Sequence, residues 1–107
     1  MEGNMAKEII LYNLKETVTD AEYAEYCRTK KGPFIKSLPS CKKFTLVKIV
    51  GSKKGVIPYK YVGIVDATSG EDWVKDASST AFQDFMKEWL AKVEDFHILM
   101  GEEVFGD

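Results

Sequence analysis

Three segments of this 107-residue chain that read as strands carry apolar residues at both parities, so the sheet they build must be covered on both faces. In Lys7 to Lys15, Ile9 and Leu11 oppose Ile10 and Leu14. In Lys43 to Val50, Val47 and Ile49 oppose Phe44 and Leu46, and in Tyr59 to Asp66, Val62 and Ile64 oppose Tyr61 and Val65. A sheet with one wet face would alternate apolar and polar residues along each strand. Helices of the same chain can cover one face. The other face would be larger than the apolar patches that soluble monomers usually expose, and a second subunit is its economical cover. A homodimer is expected.

Between these strands the pattern changes to a helical period. Thr19-Asp20-Ala21-Glu22 matches a capping box, and Tyr23, Tyr26, Cys27 and Lys30 follow at i, i+3, i+4 and i+7. Gly32-Pro33 interrupts that stripe before a second apolar turn of Phe34, Ile35 and Leu38, and Leu38-Pro39-Ser40 ends it. Gly51 to Pro58 has the composition of a hairpin loop. Ser69-Gly70-Glu71-Asp72 caps a short turn carrying Trp73, Val74 and Ala77, and Ser78-Ser79-Thr80 restarts or kinks it. Phe82, Phe85, Met86, Trp89, Leu90 and Val93 form the clearest helical stripe, and Phe96 to Phe105 closes the chain as a strand. The order βαββαβ predicts an α+β, ferredoxin-like domain: a four-stranded antiparallel sheet with both helices on one face.

The length fits one domain over residues 1–107, with residues 1–6 expected to be a flexible N-terminus. A 45% hydrophobic and 30% charged composition excludes disorder, and no apolar run is long enough to span a bilayer. The first residues lack the basic and apolar regions of a secretory signal, so a cytoplasmic protein is expected. Cys27 and Cys41 then read as reduced structural thiols, with no neighbouring Cys or His to complete a metal set. The net charge of −2 hides a segment from Arg28 to Lys60 with ten basic residues and no acid, between flanks of −4 and −8. Nucleic acid is a poor match for that segment. Arg28 is the sole arginine of the chain, and no base-stacking signature accompanies the lysines.

The passage from Lys30 to Ser40 (KKGPFIKSLPS), the helix Phe82 to Trp89 (FQDFMKEW) and the run Leu99 to Glu103 (LMGEE) resemble the dimeric α+β-barrel superfamily. Within it they are most similar to the REDY-like proteins, small members associated with bacterial pigment biosynthesis. The resemblance implies a dimeric α+β barrel in which two sheets meet, with a ligand cleft between each sheet and its helices. It implies no cofactor and no single reaction, since relatives include monooxygenases without metal or flavin, haem-degrading enzymes, isomerases and proteins of no known activity. Asn13, Trp73 and His97 look superficially like the Asn, Trp and His set of the haem-degrading relatives. In that family, however, the His lies on the second helix, where this chain has none.

His97 is the only imidazole, and so the first candidate for proton transfer near neutral pH. Its parity opposes Phe96, Ile98 and Met100, which puts it on the barrel side or the rim if the more apolar parity packs on the helices. Tyr23 and Tyr61 are candidate ligand-binding residues, lying near an element's end or, for Tyr61, beside Gly63. Tyr26 and Trp89 have core spacing. Arg28 reads as a surface partner of Glu25 or as an anion anchor at the cleft mouth with Lys30 and Lys31. The reading carried forward is a small-molecule-binding or auxiliary protein of REDY-like type, in secondary metabolism, with an apolar or aromatic ligand. The alternatives are a cofactor-free monooxygenase or isomerase using His97 or a tyrosine, and a ligand-free structural or stress-related dimer.

Overall fold

A computed structural model describes residues 6–106; most of the expected flexible N-terminus, residues 1–5, lies outside them, and Ala6 is already paired in the sheet. Strand β1 (Ala6–Leu14) is followed by helix α1 (Asp20–Tyr26), a π-helical turn (Cys27–Lys31) and helix α2 (Gly32–Ser37). Strands β2 (Cys41–Lys48) and β3 (Tyr61–Ala67) come next, then helices α3 (Gly70–Ala77) and α4 (Thr80–Leu90) and strand β4 (Val93–Glu102). The sheet order is β2-β3-β1-β4, all neighbours antiparallel, which is the ferredoxin-like arrangement.

Parity assigns the faces. Glu8, Ile10 and Tyr12 of β1 and Tyr61, Val65 and Ala67 of β3 are buried under the helices. The opposite parity forms the open face. There Val47, Val62, Leu11 and His97 lie side by side across the four strands, and Thr45, Ile64, Ile9 and Leu99 form the next row. Val47 and Leu99 are 41% and 48% exposed, so this apolar face lacks a cover among the described residues. Its far end is polar, with Lys7 paired to Asp66 and to Glu103.

Strand boundaries differ from those the sequence suggests, and two bulges explain why. In β4 one extra residue is accommodated opposite β1, with Asp95 at φ 54 in the left-handed region. The strand therefore starts at Val93, beyond the charged Glu94-Asp95 pair that hides it, and both Val93 and Phe96 keep their helix-side positions. A bulge between Cys41 and Lys43 likewise extends β2 backwards. At the hairpin Asn13 intervenes. Its Nδ2 donates to the Pro58 carbonyl at 3.0 Å and its Oδ1 accepts the Lys60 N–H at 2.9 Å, so β3 begins at Tyr61 rather than Tyr59.

The capping signals behave as written. Thr19 accepts the Glu22 N–H while the Glu22 carboxylate accepts the Thr19 N–H, and Ser69 and Ser79 cap α3 and α4 through the N–H groups of Asp72 and Phe82. Gly32-Pro33 does more than interrupt the first helix. Pro33 has no N–H to donate four residues back, and its ring would press on the Thr29 carbonyl in a regular helix. The chain widens instead into one π-turn, closed by the Gly32 N–H on the Cys27 carbonyl, and restarts as α2 with Pro33 in its first turn. A Cβ on residue 32 would sit 2.8 Å from the Cys27 carbonyl oxygen.

Replacing a helix-interior glycine by alanine ordinarily stabilises by about 1 kcal/mol. Here the methyl must displace a backbone carbonyl, so Gly32→Ala is predicted to destabilise by about 1–2 kcal/mol. Urea denaturation measures this, and a gain in stability would show that the turn does not need the missing side chain.

Candidate functional site

The core under the helices is two clusters that do not close on each other. One gathers Ile10, Tyr12, Tyr23, Tyr26, Tyr61, Trp89 and Val93; the other gathers Ile35, Val65, Ala67, Trp73 and Phe82. Between them lies a cavity of about 290 Å³, floored by Ile10, Phe44, Val65 and Ile98 of the sheet and roofed by Ile35, Phe82, Phe85, Met86 and Trp89. Two ionisable side chains enter this apolar space, Glu8 from the sheet and Lys31 from the π-turn.

Lys31 is only 2% exposed. Its ammonium lies 4.6 Å from the Trp89 ring centroid and 5.6–5.8 Å from those of Phe85, Tyr12 and Phe44. Among the described residues it forms no ion pair; rings, not an anion, surround the charge. Burial pulls the ammonium down from an ordinary 10.5 to about 8, with Cys27 and Glu8 acting in the opposite direction. Glu8 is 9% exposed, and its Oε2 accepts the Trp73 Nε1–H at 2.6 Å. Burial raises the Glu8 carboxyl, against that hydrogen bond and the Lys31 charge. The cavity thus combines an aromatic-rich roof, a largely aliphatic floor, a donor that is more readily deprotonated than an ordinary lysine and a carboxyl that holds its proton longer than usual.

The residues singled out from the sequence are not gathered here. Tyr23 and Tyr61 are buried and stand behind the cavity wall: the Trp89 Nε1–H donates to the Tyr23 hydroxyl at 2.9 Å, and the Tyr12 and Tyr23 hydroxyls share a 2.5 Å hydrogen bond. Tyr61 stacks on Tyr12 and donates to Asp20, which also pairs with Lys48 at 2.9 Å. Together with Asp20 and Lys48, Tyr23 and Tyr61 line a separate open depression. Burial holds the phenols of Tyr12, Tyr23 and Tyr61 above their ordinary range, which keeps them neutral donors rather than bases. Arg28 pairs with Glu25 at 2.6 Å on the surface, and His97 lies exposed on the open sheet face against Tyr59. Lys30 and Lys31 part company: Lys30 faces solvent near Glu88, and Lys31, expected at the cleft mouth, is inside. Tyr26 and Trp89 join the core as their spacing predicts, and Trp89 also walls the cavity.

The sequence places Lys31 at the cleft mouth rather than inside and does not single out Glu8, for identifiable reasons. An uninterrupted helix puts Lys30 on the Tyr23 stripe, but the extra residue of the π-turn turns the helix by about 100° and gives that place to Lys31. Glu8 looks like the polar end of a strand, although its parity is that of Ile10 and Tyr12. No group of His, Cys, Asp and Glu among the described residues is arranged to hold a metal ion.

The depressed Lys31 value has a consequence for stability. Between about pH 8 and 10.5 the unfolded chain keeps a proton that the native state has released, so folding gains stability as pH rises through this window, and the burial penalty is fully present below it. Lys31→Met removes the penalty. It is predicted to stabilise the fold by about 1–3 kcal/mol at pH 7, after the lost ring contacts, with the advantage shrinking towards pH 10.5. Denaturation of both proteins at pH 7 and pH 10 gives the comparison, which cancels the titration of the tyrosines. A stability difference between the two proteins that is the same at both pH values would mean the ammonium is solvated.

The comparisons with known proteins agree with this architecture. HapK from Hahella chejuensis superposes with a TM-score of 0.79 at 18% identity, covering 96% of each chain. A dimeric ferredoxin-like protein of unknown function from Thermobifida fusca gives 0.75 at 14% identity, over 96% of this chain and 94% of that one. A mutant of SnoaB, a cofactor-independent oxygenase from Streptomyces nogalater, gives 0.77 at 12% identity over 97% of both. At these identities the likeness shows the ferredoxin-like fold. No curated protein sequence matches the chain. The family model described as REDY-like protein HapK matches residues 6–104, nearly the whole length, and this chain therefore belongs to the family of REDY-like proteins.

Proposed function

We propose that this REDY-like protein is a homodimer that binds a flat, apolar, aromatic small molecule in the cavity between its sheet and helices. One observation carries the reading: an apolar cavity with aromatic side chains in its lining, into which a buried ammonium projects with no ion-paired anion among the described residues. A core whose only task was packing would gain stability by replacing Lys31 with an apolar side chain, so the lysine argues for a ligand that meets it. The ligand-free alternative is disfavoured by the same cavity, because Trp89 and Phe85 line the space rather than fill it. In this reading Lys31, Glu8 and Trp89 meet the ligand and Tyr23 and Tyr61 support the wall; His97 and Arg28 take no part. An enzymatic role, as an isomerase or a cofactor-free oxygenase, is favoured only by the two proton-carrying groups in the cavity.

The dimer rests on the other face. Ile9, Leu11, Val47, Val62, Ile64 and Leu99 form a continuous apolar surface opposite the helices, and a second copy would cover it face to face. The cavity lies on the opposite side of the sheet. No helix among the described residues is long and apolar enough to cross a membrane.

Two measurements test these parts separately. Titration with 1-naphthol is expected to quench tryptophan fluorescence saturably and to raise the melting temperature, the stabilisation reaching about 2.7 kcal/mol at one hundred times Kd. Ile98→Trp, at a half-exposed position on the cavity wall, should abolish both effects. Absence of saturable binding to the wild type would sink the cavity reading. Light scattering at micromolar concentration should give twice the chain mass, and Ile9→Lys with Leu99→Lys should give a monomer; a monomeric wild type would refute the dimer.

A further inference from the structure

Resting on that cavity reading, we propose that Lys31 captures an aromatic aldehyde as a reversible imine inside the cavity. The geometry separates Lys31 from the other lysines. Its Nζ is held within an apolar lining, over the Trp89 ring and near those of Phe85, Tyr12 and Phe44, whereas Lys53 and Lys54, for example, lie exposed in the hairpin loop. A lysine clamped by a carboxylate would stay protonated and non-nucleophilic. A lysine buried without an ion-paired carboxylate loses its proton more easily, because burial disfavours the charged form, and its amine is populated near neutral pH.

The chemistry needs no oxidant or reductant. The Nζ lone pair adds to the carbonyl carbon and the carbonyl π pair moves onto oxygen; transfer of a proton from nitrogen to that oxygen gives a carbinolamine. A second proton on the hydroxyl lets the C–O bond break, water departs, and loss of the remaining N–H proton leaves the neutral imine. The net change is amine plus aldehyde to imine plus water. Glu8 is the other ionisable group in the lining, and a carboxyl raised by burial supplies that second proton and takes one back. The apolar walls disfavour the returning water that would hydrolyse the product. The protonated imine, a cation like the ammonium it replaces, keeps the Trp89 ring face.

The test is to incubate the full chain with 1-naphthaldehyde and sodium cyanoborohydride, which reduces an imine to a stable secondary amine, and to locate the naphthylmethyl group by intact mass and peptide mapping. The expected result is that, among the lysine side chains, Lys31 takes the group at least about tenfold faster than Lys53 or Lys54, with the α-amine mapped as a separate peptide. Lys31→Met and Lys31→Arg should leave only the slow surface reaction, and excess 1-naphthol should protect Lys31. Labelling of Lys31 no faster than the loop lysines overturns the proposal, a result read on the wild type whatever the stability of the variants. If 1-naphthol raises the melting temperature while Lys31 stays unlabelled, the imine fails and the cavity survives. If neither effect occurs, both fail together.

Discussion

A single π-turn decides what the interior of this protein can do. The carbonyl of Cys27 accepts from Gly32, five residues on, because Pro33 cannot continue a regular helix and Gly32 has no side chain to block the approach. The extra residue shifts everything after it by one position on the helix surface. Lys31 swings under the helix layer, and Lys30 is left outside beside Glu88. Without that turn the helical period would bring Lys30, not Lys31, to the Tyr23 side of the helix.

Taking an ammonium and a carboxyl into an apolar space is unfavourable, and the surroundings reduce the penalty without removing it. Four rings face the ammonium, each such contact worth on the order of 0.5–2 kcal/mol, and the Trp73 indole donates to Glu8. Both groups nevertheless shift towards their neutral forms. They remain two interruptions in the lining rather than a closed ion pair, so each can exchange protons with a third body. The tyrosine network behind them has the opposite character. Its hydroxyls are bonded to one another, to Trp89 and to Asp20, and burial keeps them protonated, which suits fixing the Trp89 ring in place.

The sequence made the fold legible because its periods are strong. Apolar residues at both parities in three strands, the Phe82 to Leu90 stripe and the caps at Thr19, Ser69 and Ser79 each point to the element observed, whereas Val93, in phase with that stripe, already belongs to β4. Boundaries slipped where bulges break the period of two: the Glu94-Asp95 pair conceals the start of β4, and Asn13 takes the Lys60 N–H. The site was legible only in part, for the same kind of reason. Strict helical spacing points to Lys30, and one inserted residue makes it Lys31. The cue lies in Gly32-Pro33, which changes the pitch of the helix as well as interrupting it. Tyr23 and Tyr61 lie near an element's end or beside glycine, as a cleft residue would, but their hydroxyls have partners behind the wall and neither enters the cavity lining.

Each sheet face carries one role because β1 separates the two by parity. Glu8, Ile10 and Tyr12 look into the helix layer, while Ile9 and Leu11 look away from it, so a one-residue slip would exchange a carboxyl for an isoleucine on both sides at once. The bulge in β4 preserves this division, letting Val93 and Phe96 both face the helices although an unbulged strand would place them on opposite sides. The lysine-rich centre of the chain divides in the same way. Lys48 and Lys30 meet Asp20 and Glu88 from the acidic flanks, so part of the charge asymmetry is neutralised within the fold. Lys31 belongs to the same run and finds no anion among the described residues. Composition cannot distinguish it from its neighbours; its place after the π-turn and the rings around it do.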